Sequence, residues 1–326
     1  MTAAPRAPRV VVGIPAHQSE RFLPETLNAV AAQDWPALEF VCSDDASTDS
    51  TLAICRDFAR RDRRVRVQRH ARRVGWVANY NSLLAHATGD YFLWVPHDDL
   101  YEPGYVRELV GLLEARPDAV LAFSAALAID ARGHAVGAWR RAPALGAATP
   151  RLRRALAYLW WTEHEKFLPF RGVIRTSALR RVGGLEAGPW GPFADDLWLF
   201  RMALAGGLEF DPRALCRKRL HPRSVSATER YPLETYRAYL GEYRAIVRSA
   251  GLAAREARVL LGAAAIREAS VVARWPARTL RRRVGRHPVV NRLRWYLAQA
   301  PRRLARSISP RAGTGNAAER PGVGPG

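Results

Sequence analysis

Three pairs of adjacent aspartates stand out in the chain: Asp44-Asp45, Asp98-Asp99 and Asp195-Asp196. Neighbouring carboxylates repel unless a cation or hydrogen-bond donors offset them. Hard Mg²⁺ or Mn²⁺ takes one or two carboxylates together with phosphate oxygens, so a metal-bound phosphate ligand would satisfy the first two pairs at once. A plainer reading is also open, because aspartate readily caps helices and makes turns; Asp44, Asp45 and Asp49 could serve only the backbone. Asp195 and Asp196 precede the helical run LWLFRMALAGG. There the choice lies between a favourable cap and dipole partner and a proton acceptor whose pKa is raised by partial burial and its acidic neighbour.

The elements that must position these residues are legible in the first 130 residues, where apolar runs alternate with helical patterns, the mark of a parallel sheet with crossover helices. Strands are expected at residues 9–14, 38–43, 65–69, 91–95 and 119–123. Helices are expected near 23–33, 50–62, 76–88 and 103–116, the second opening after Asp49 with polar capping chemistry. An open parallel sheet binds ligands outside the carboxyl ends of its strands. Pro15-Ala16-His17, Asp44-Asp45 and His97-Asp98-Asp99 each follow a strand and so converge on one rim. Residues 131–230 are punctuated by Pro and Gly and read as an elaborated second half of the same domain, giving halves 1–130 and 131–230. A helical extension over 231–308 follows, basic from about 270 and interrupted at Pro276, Pro288 and Pro301, and 309–326 reads as a disordered tail.

Composition narrows the class. The 326 residues are 48% hydrophobic and 25% charged, ordinary globular usage that excludes a collagen-like, fibrous or wholly disordered chain. Cys42, Cys55 and Cys216 contain no C-x-x-C, which excludes a disulfide framework and a four-cysteine zinc site and points to a reducing compartment. MTAAPRAPR lacks the apolar stretch of a signal peptide, and no run reaches the roughly 18 apolar residues of a membrane span. Of the net charge of +21, +12 lies in residues 270–326, where 13 Arg face Glu319 alone. Only two basic residues, Lys166 and Lys218, are lysines. No zinc-finger, helix-turn-helix or stacked-aromatic motif accompanies the charge, so nucleic acid is not the expected partner. Basic helices carrying Trp275, Leu280, Trp295, Tyr296 and Leu297 suit an anionic membrane surface instead.

The stretch VVVGIPAHQSERFLPETLNAVAAQDWPALEFVCSDDASTDST is similar to the start of family 2 glycosyltransferases, inverting enzymes of the GT-A fold. GWVANYNSLLAHATGDYFLWVPHDD resembles that family's approach to its acidic metal motif, and YEPGYVRELVGLLEARPDAVLAFS the helix and strand that follow. The resemblance runs over residues 8–225. It implies a mostly parallel, Rossmann-like α/β sheet flanked by helices, a nucleoside-diphosphate sugar as donor (a UDP-sugar favoured), and a glycan or lipid-linked hydroxyl as acceptor. The implied setting is envelope polysaccharide synthesis, in the cytoplasm at the inner membrane face.

Carried over by position, the resemblance places Pro15, Ala16 and His17 around the base. Asp45, with Asp44 beside it, would meet base or ribose, Asp98 would lie near ribose and diphosphate, and Asp99 would bind Mg²⁺ or Mn²⁺. His97 stands where many members have an acid, leaving the metal to Asp99. Asp195 or Asp196 would be the base that activates the acceptor; both fit because Gly206-Gly207 is also a pair, with Asp195 slightly preferred. His221 of the run Arg217-Lys218-Arg219-Leu220-His221 would be a metal ligand or leaving-group donor, and Arg219 would offset phosphate charge. Arg171 and Arg175 are further candidates for acceptor or phosphate contact. Trp160, Trp161, Trp190 and Trp198 could stack on sugars or fill the core. Two alternatives stay open: a degenerate member that only binds nucleotide-sugar, and a protein that binds nucleic acid through charge. A nucleotidyltransferase would be expected to open on a Gly-rich, Arg-containing phosphate loop, which VVVGIPAHQSE lacks.

Overall fold

In the computed structural model, which describes residues 6–161, 165–222, 224 and 232–284, the apolar run VVVGIPA forms strand β1 (Val10–Ala16), buried along its whole length. β-Branched residues suit a pleated strand, and burial on both faces suits parallel pairing. β1 pairs in parallel with β2 (Leu38–Asp44) on one side and β4 (Tyr91–Trp94) on the other, and β3 (Val65–Arg69) lies parallel to β2. The crossovers are α1 (Leu23–Ala31), α2 (Thr51–Arg61) and α3 (Trp76–Ser82), the last running into a 3₁₀ turn at Leu83–His86. The capping chemistry expected before α2 is supplied by Asp49, whose Oδ1 accepts the Thr51 N–H at 3.0 Å.

The second half is built on β6 (Ala119–Ile129), longer than expected because the apolar run continues past Phe123. It pairs in parallel with β9 (Gly207–Arg219) and antiparallel with β7 (Ala135–Trp139) and β8 (Val173–Arg175). β8 also pairs antiparallel with β4 and so joins the halves, while β5 (Leu100–Tyr101) runs antiparallel to β9. The sheet order is β3-β2-β1-β4-β8-β6-β9-β5, with β7 beside β6. Because β8 opposes both its neighbours, β3, β2, β1, β4, β6 and β9 share one direction and the sheet is mostly parallel.

Around the sheet lie α4 (Tyr105–Glu114), α5 (Arg151–Trp160), α6 (Thr176–Val182), α7 (Ala194–Ala205), α8 (Leu233–Ser249) and α9 (Ala254–Val284). Residues 1–270 form one unit and 271–326 a second. α8 packs on α7, the Tyr243 and Phe200 rings meeting at 4.8 Å. Pro276 lies within α9 rather than ending it, in a run rich in the strong helix formers Ala and Arg. Pro288, Pro301, Trp295, Tyr296, Leu297 and the tail 309–326 lie outside the described residues, as do the side chains of Trp275 and Leu280.

Aromatic packing joins the two halves under the rim. Trp94 lies 5.2 Å from both Phe170 and Trp198, and Tyr80 stacks on Phe170 at 5.5 Å. Trp198 and Trp161 are thus core residues, whereas Trp160 is exposed. Gly172, between a 3₁₀ turn at Pro169–Arg171 and β8, sits against the Ala122 carbonyl oxygen, which an added Cβ would meet at 2.4 Å. Backbone at that distance cannot swing aside. Gly172→Ala should therefore cost about 2–3 kcal/mol by overpacking and lower Tm by on the order of 5 °C; thermal unfolding that matches wild type would refute the close approach.

Candidate active site

Ala16 lies opposite Asp44 and Gly13 opposite Trp94, so the loops after β1, β2 and β4 share one rim. The first two loops are tightly bent. Gln18 and Ala46 both hold φ near +50°, a region costly for residues with a Cβ. Cross-links offset that strain: Gln18 N–H donates to Ser47 Oγ at 3.0 Å and Thr48 N–H to Gln18 Oε1 at 2.8 Å. His17 Nδ1 lies 2.8 Å from the Asp45 carbonyl, which can only accept, so Nδ1 donates there. Pro15 and Ala16 are buried under it.

The first aspartate pair turns inward. Asp44, 0% exposed, accepts the Ser47 N–H at 3.3 Å and pairs with Arg69 Nε at 3.4 Å. Asp45 takes the Val74 N–H on Oδ1 at 2.6 Å and the Gly75 N–H on Oδ2 at 2.9 Å, pinning the start of α3. Gly75 sits at φ +88°, left-handed backbone that glycine adopts without strain. Beside it lies a hollow of about 380 Å³ lined by Val74, Trp76, Asn81 and Leu185. Both carboxylates have the backbone duties that the plainer reading of the sequence allowed.

At the second pair the two acids part. Asp99 is 0% exposed, its Oδ2 2.5 Å from Arg171 Nε and its Oδ1 accepting the Arg219 N–H at 2.9 Å. Both oxygens of Asp99, the residue expected to bind metal, are thus engaged within the protein. Asp98 keeps partial exposure and lies 3.0 Å from His221 Nε2. Burial pushes the Asp98 carboxyl up, but the His221 hydrogen bond and the charges of His97, Lys218 and Arg171 outweigh it and hold the group well below the usual carboxylate range. Arg219 is also turned inward. Its guanidinium bonds Glu25 at 2.7 Å and the Asp98 carbonyl at 3.0 Å and lies over the Phe22 ring, so it braces the loop instead of meeting solvent. Arg175 likewise bonds the Ala119 carbonyl at 2.9 Å.

The third pair divides in the same way. Asp196 is buried and bonded by Tyr158, Tyr239, Tyr243 and Lys166. Asp195 is half-buried, and its Oδ1 accepts only the Asp196 N–H, at 2.8 Å, among the described residues. Burial, then the Asp196 charge, pushes its carboxyl up to about 6, against smaller pulls from the Asp196 N–H, Arg171 and Lys218. Lys218, which the sequence reading passed over, points away from Arg219 on the other face of β9 and rests on the Phe167 ring at 4.7 Å. Burial and the Arg171 charge lower its pKa, with Asp99 and Asp98 opposing. Its one signal in the sequence is that only two of the 51 basic residues are lysine. No cluster of three metal-ligating side chains occurs among the described residues.

The profile of the family described as Glycosyl transferase family 2 matches residues 11–181. The O-antigen biosynthesis protein RfbC of Myxococcus xanthus is 32% identical over 197 residues, 60% of this chain and 14% of that protein. The chain spans well under half the length of the first curated relatives it matches, 14, 33 and 39%. Among solved structures, Staphylococcus aureus TarS 1–349 in complex with UDP-GlcNAc aligns with a TM-score of 0.63 at 18% identity, covering 78% of this chain and 70% of that one. A mannosyltransferase of Pyrobaculum calidifontis in complex with GDP-Man and Mn²⁺ aligns at 0.54 and 18% identity, covering 93% of this chain and 84% of that one. These likenesses show the fold. Asp195, Asp196, Lys218 and His221 lie beyond the profile match.

The division of Asp98 from Asp99 has a measurable consequence. Removing one partner of a buried ion pair strands the other, at about 3–5 kcal/mol. Asp99→Ala should lower Tm by on the order of 10 °C, while Asp98→Ala, on the rim, should shift it far less; equal Tm values for the two variants would refute this assignment.

Proposed function

The chain belongs to glycosyl transferase family 2, and from that premise we propose that it transfers a sugar from a nucleoside-diphosphate sugar, a UDP-sugar in preference, to an acceptor hydroxyl of a cell-envelope glycan. The reaction is a single displacement with inversion. The observation that carries the reading is the half-buried Asp195 carboxylate, whose pKa near 6 leaves it ionised at neutral pH yet basic enough to take a proton. Asp195 accepts the acceptor O–H proton as that oxygen attacks the anomeric carbon; the bond from that carbon to the diphosphate oxygen breaks, and the nucleoside diphosphate leaves with the electron pair.

Two groups on the rim meet the departing charge. Lys218 presents an ammonium within electrostatic reach of Asp98 and Asp195, and we assign it the phosphate role that the sequence reading gave to Arg219. Asp98 and His221 offer a carboxylate oxygen and an imidazole nitrogen side by side, with Asp98 held ionised. Asp98 and His221 would hold a divalent cation, Mn²⁺ in preference to the harder Mg²⁺ because one donor is an imidazole, in place of the proton they share; the cation would help neutralise the diphosphate as it departs. Asp99 and Arg219 become the scaffold behind them. Pro15, Ala16 and His17 line the base pocket, with Asp44 and Asp45 holding its walls.

RfbC and TarS are named for O-antigen and wall-polymer synthesis, which supports an envelope acceptor. No described helix is long and apolar enough to cross a membrane. The arginine-rich residues 270–326 would bring the protein to an anionic inner face by charge.

Ligand that binds only the folded state raises apparent stability by mass action. UDP should raise Tm in a Mn²⁺-dependent way in wild type and in Asp195→Asn, but not in Asp98→Ala. The absence of a shift with UDP, GDP, dTDP and CMP alike would refute the donor assignment.

The Asp195 pKa gives a second test. A carboxyl whose folded-state pKa is raised above 3.8, to about 6, lowers stability as pH climbs through that window. Asp195→Asn should abolish transfer yet be more stable than wild type at pH 8, by on the order of 1–2 kcal/mol, with the gain gone below about pH 4. In wild type, transfer should rise with pH through an apparent pKa near 6. A pH-independent stability difference would sink the assignment.

A further inference from the structure

Asp196 is surrounded from four directions. Tyr158 on α5 bonds Oδ1 at 2.7 Å, Tyr243 on α8 bonds Oδ1 at 2.9 Å, Tyr239 on α8 bonds Oδ2, and Lys166 Nζ lies 3.3 Å from Oδ1. Lys166 also donates to Tyr243 Oη at 2.9 Å and rests over the Tyr158 ring at 4.7 Å. From α9, Arg267 reaches Tyr239 Oη at 3.4 Å and lies over the Tyr243 ring at 5.2 Å. Phe193 closes the cage, stacked on Tyr239 at 4.4 Å. Lys166 and Arg267 are 2% and 5% exposed.

A carboxylate taken this far from water persists as an anion only if cations and donors replace the solvent. Here burial raises the pKa of Asp196, but Lys166, Arg267, Tyr239 and Tyr158 together bring it below the ordinary value. The same residue's backbone N–H is the donor that holds Asp195 Oδ1.

Resting on the reading of Asp195 as base, we propose that Asp196 is its positioning residue: the cage closed by α8 and α9 keeps Asp196 a fixed anion beside the Asp195 carboxylate, which its backbone N–H orients. Helices outside the sheet thereby become part of the catalytic apparatus. The charged and titratable groups facing Asp195 are Asp196 from α7, Arg171 from the turn before β8, Lys218 from β9 and Tyr80 from α3. Asp196 acts on it in two ways: its backbone N–H, bonded to Oδ1, favours the ionised form, while its carboxylate charge, second to burial, favours the protonated one. Lys166 is one of the chain's two lysines. A compact ammonium with three donors fits among the hydroxyls, where a planar guanidinium would not.

The test is a carbon-13 NMR titration of the full chain labelled at the aspartate carboxyls, with the Asp195 signal assigned by its loss in Asp195→Asn. Wild type should titrate near 6, and Asp196→Asn should bring the midpoint down by at least one unit towards 3.8. Should Asp196→Asn strand Lys166 and fail to fold, the double variant Lys166→Met with Asp196→Asn removes both charges together and should show the same fall. An unmoved midpoint in a folded variant, or a wild-type midpoint near 4, overturns the proposal and leaves Asp196 a structural brace. Sugar transfer by Asp195→Asn is read separately, so a wrong base and an absent coupling give different results.

Discussion

The Asp99–Arg171 pair is the contact on which the cleft depends. Both partners are buried, and neither could be so alone. Asp99 stands after β4, Arg171 ends the turn before β8, and the Arg219 N–H that completes the Asp99 shell comes from β9. One saturated carboxylate thus gathers three separate parts of the chain. Tyr105 adds a fourth, its hydroxyl donating to the Arg171 carbonyl at 2.7 Å. With the inner acid tied down, its neighbour Asp98 is left on the rim beside His221.

The same division recurs at Asp195-Asp196, with the opposite electrical result. Asp98 is held by an imidazole and surrounded by positive charge, so its pKa falls. Asp195 is buried next to an anion, so its pKa rises. Two carboxylates in one cleft are thereby set apart, one fixed as an anion and one poised near neutrality, the arrangement that separates electrostatic work from proton transfer. What distinguishes them is the partner each inner acid has recruited. Arg171 answers Asp99 and still reaches Asp98, whereas Lys166 and Arg267 are committed to Asp196 behind Asp195.

Much of this was legible in the sequence. The runs VVVGIPA and LEFVCSD are apolar enough to be strands in any context, and the polar residues after them had to share a rim once the sheet was parallel. Which member of each acidic pair faces the cleft was not legible. That depends on pairings between distant segments: Asp99 turns inward because Arg171, 72 positions away, waits there. In the run Arg217-Lys218-Arg219 the basic residues alternate faces, and Arg219 is committed by distant partners, Glu25 and the Asp98 carbonyl, that the run itself does not reveal. α7 was legible as a helix but not its facing, since eight of its twelve residues are buried. The tyrosines of α8 lie in what read only as a helical extension, and their hydroxyls acquire meaning around Asp196.

The large positive charge of the chain is a poor guide to the site. Its excess lies mostly beyond residue 270, whereas among the described residues the cleft face carries Asp98 and Asp195 against the ammonium of Lys218. Arg171 and Arg219, although close, are committed to Asp99 and Glu25. A diphosphate brought to this rim adds negative charge to a surface that is already short of cations, and repulsion in a partly desolvated cleft is poorly screened. Among the described residues that deficit is met neither by a second basic side chain nor by a glycine-rich anion loop. The Asp98–His221 pair, a carboxylate beside an imidazole, is where a divalent cation would restore the charge balance that a diphosphate disturbs.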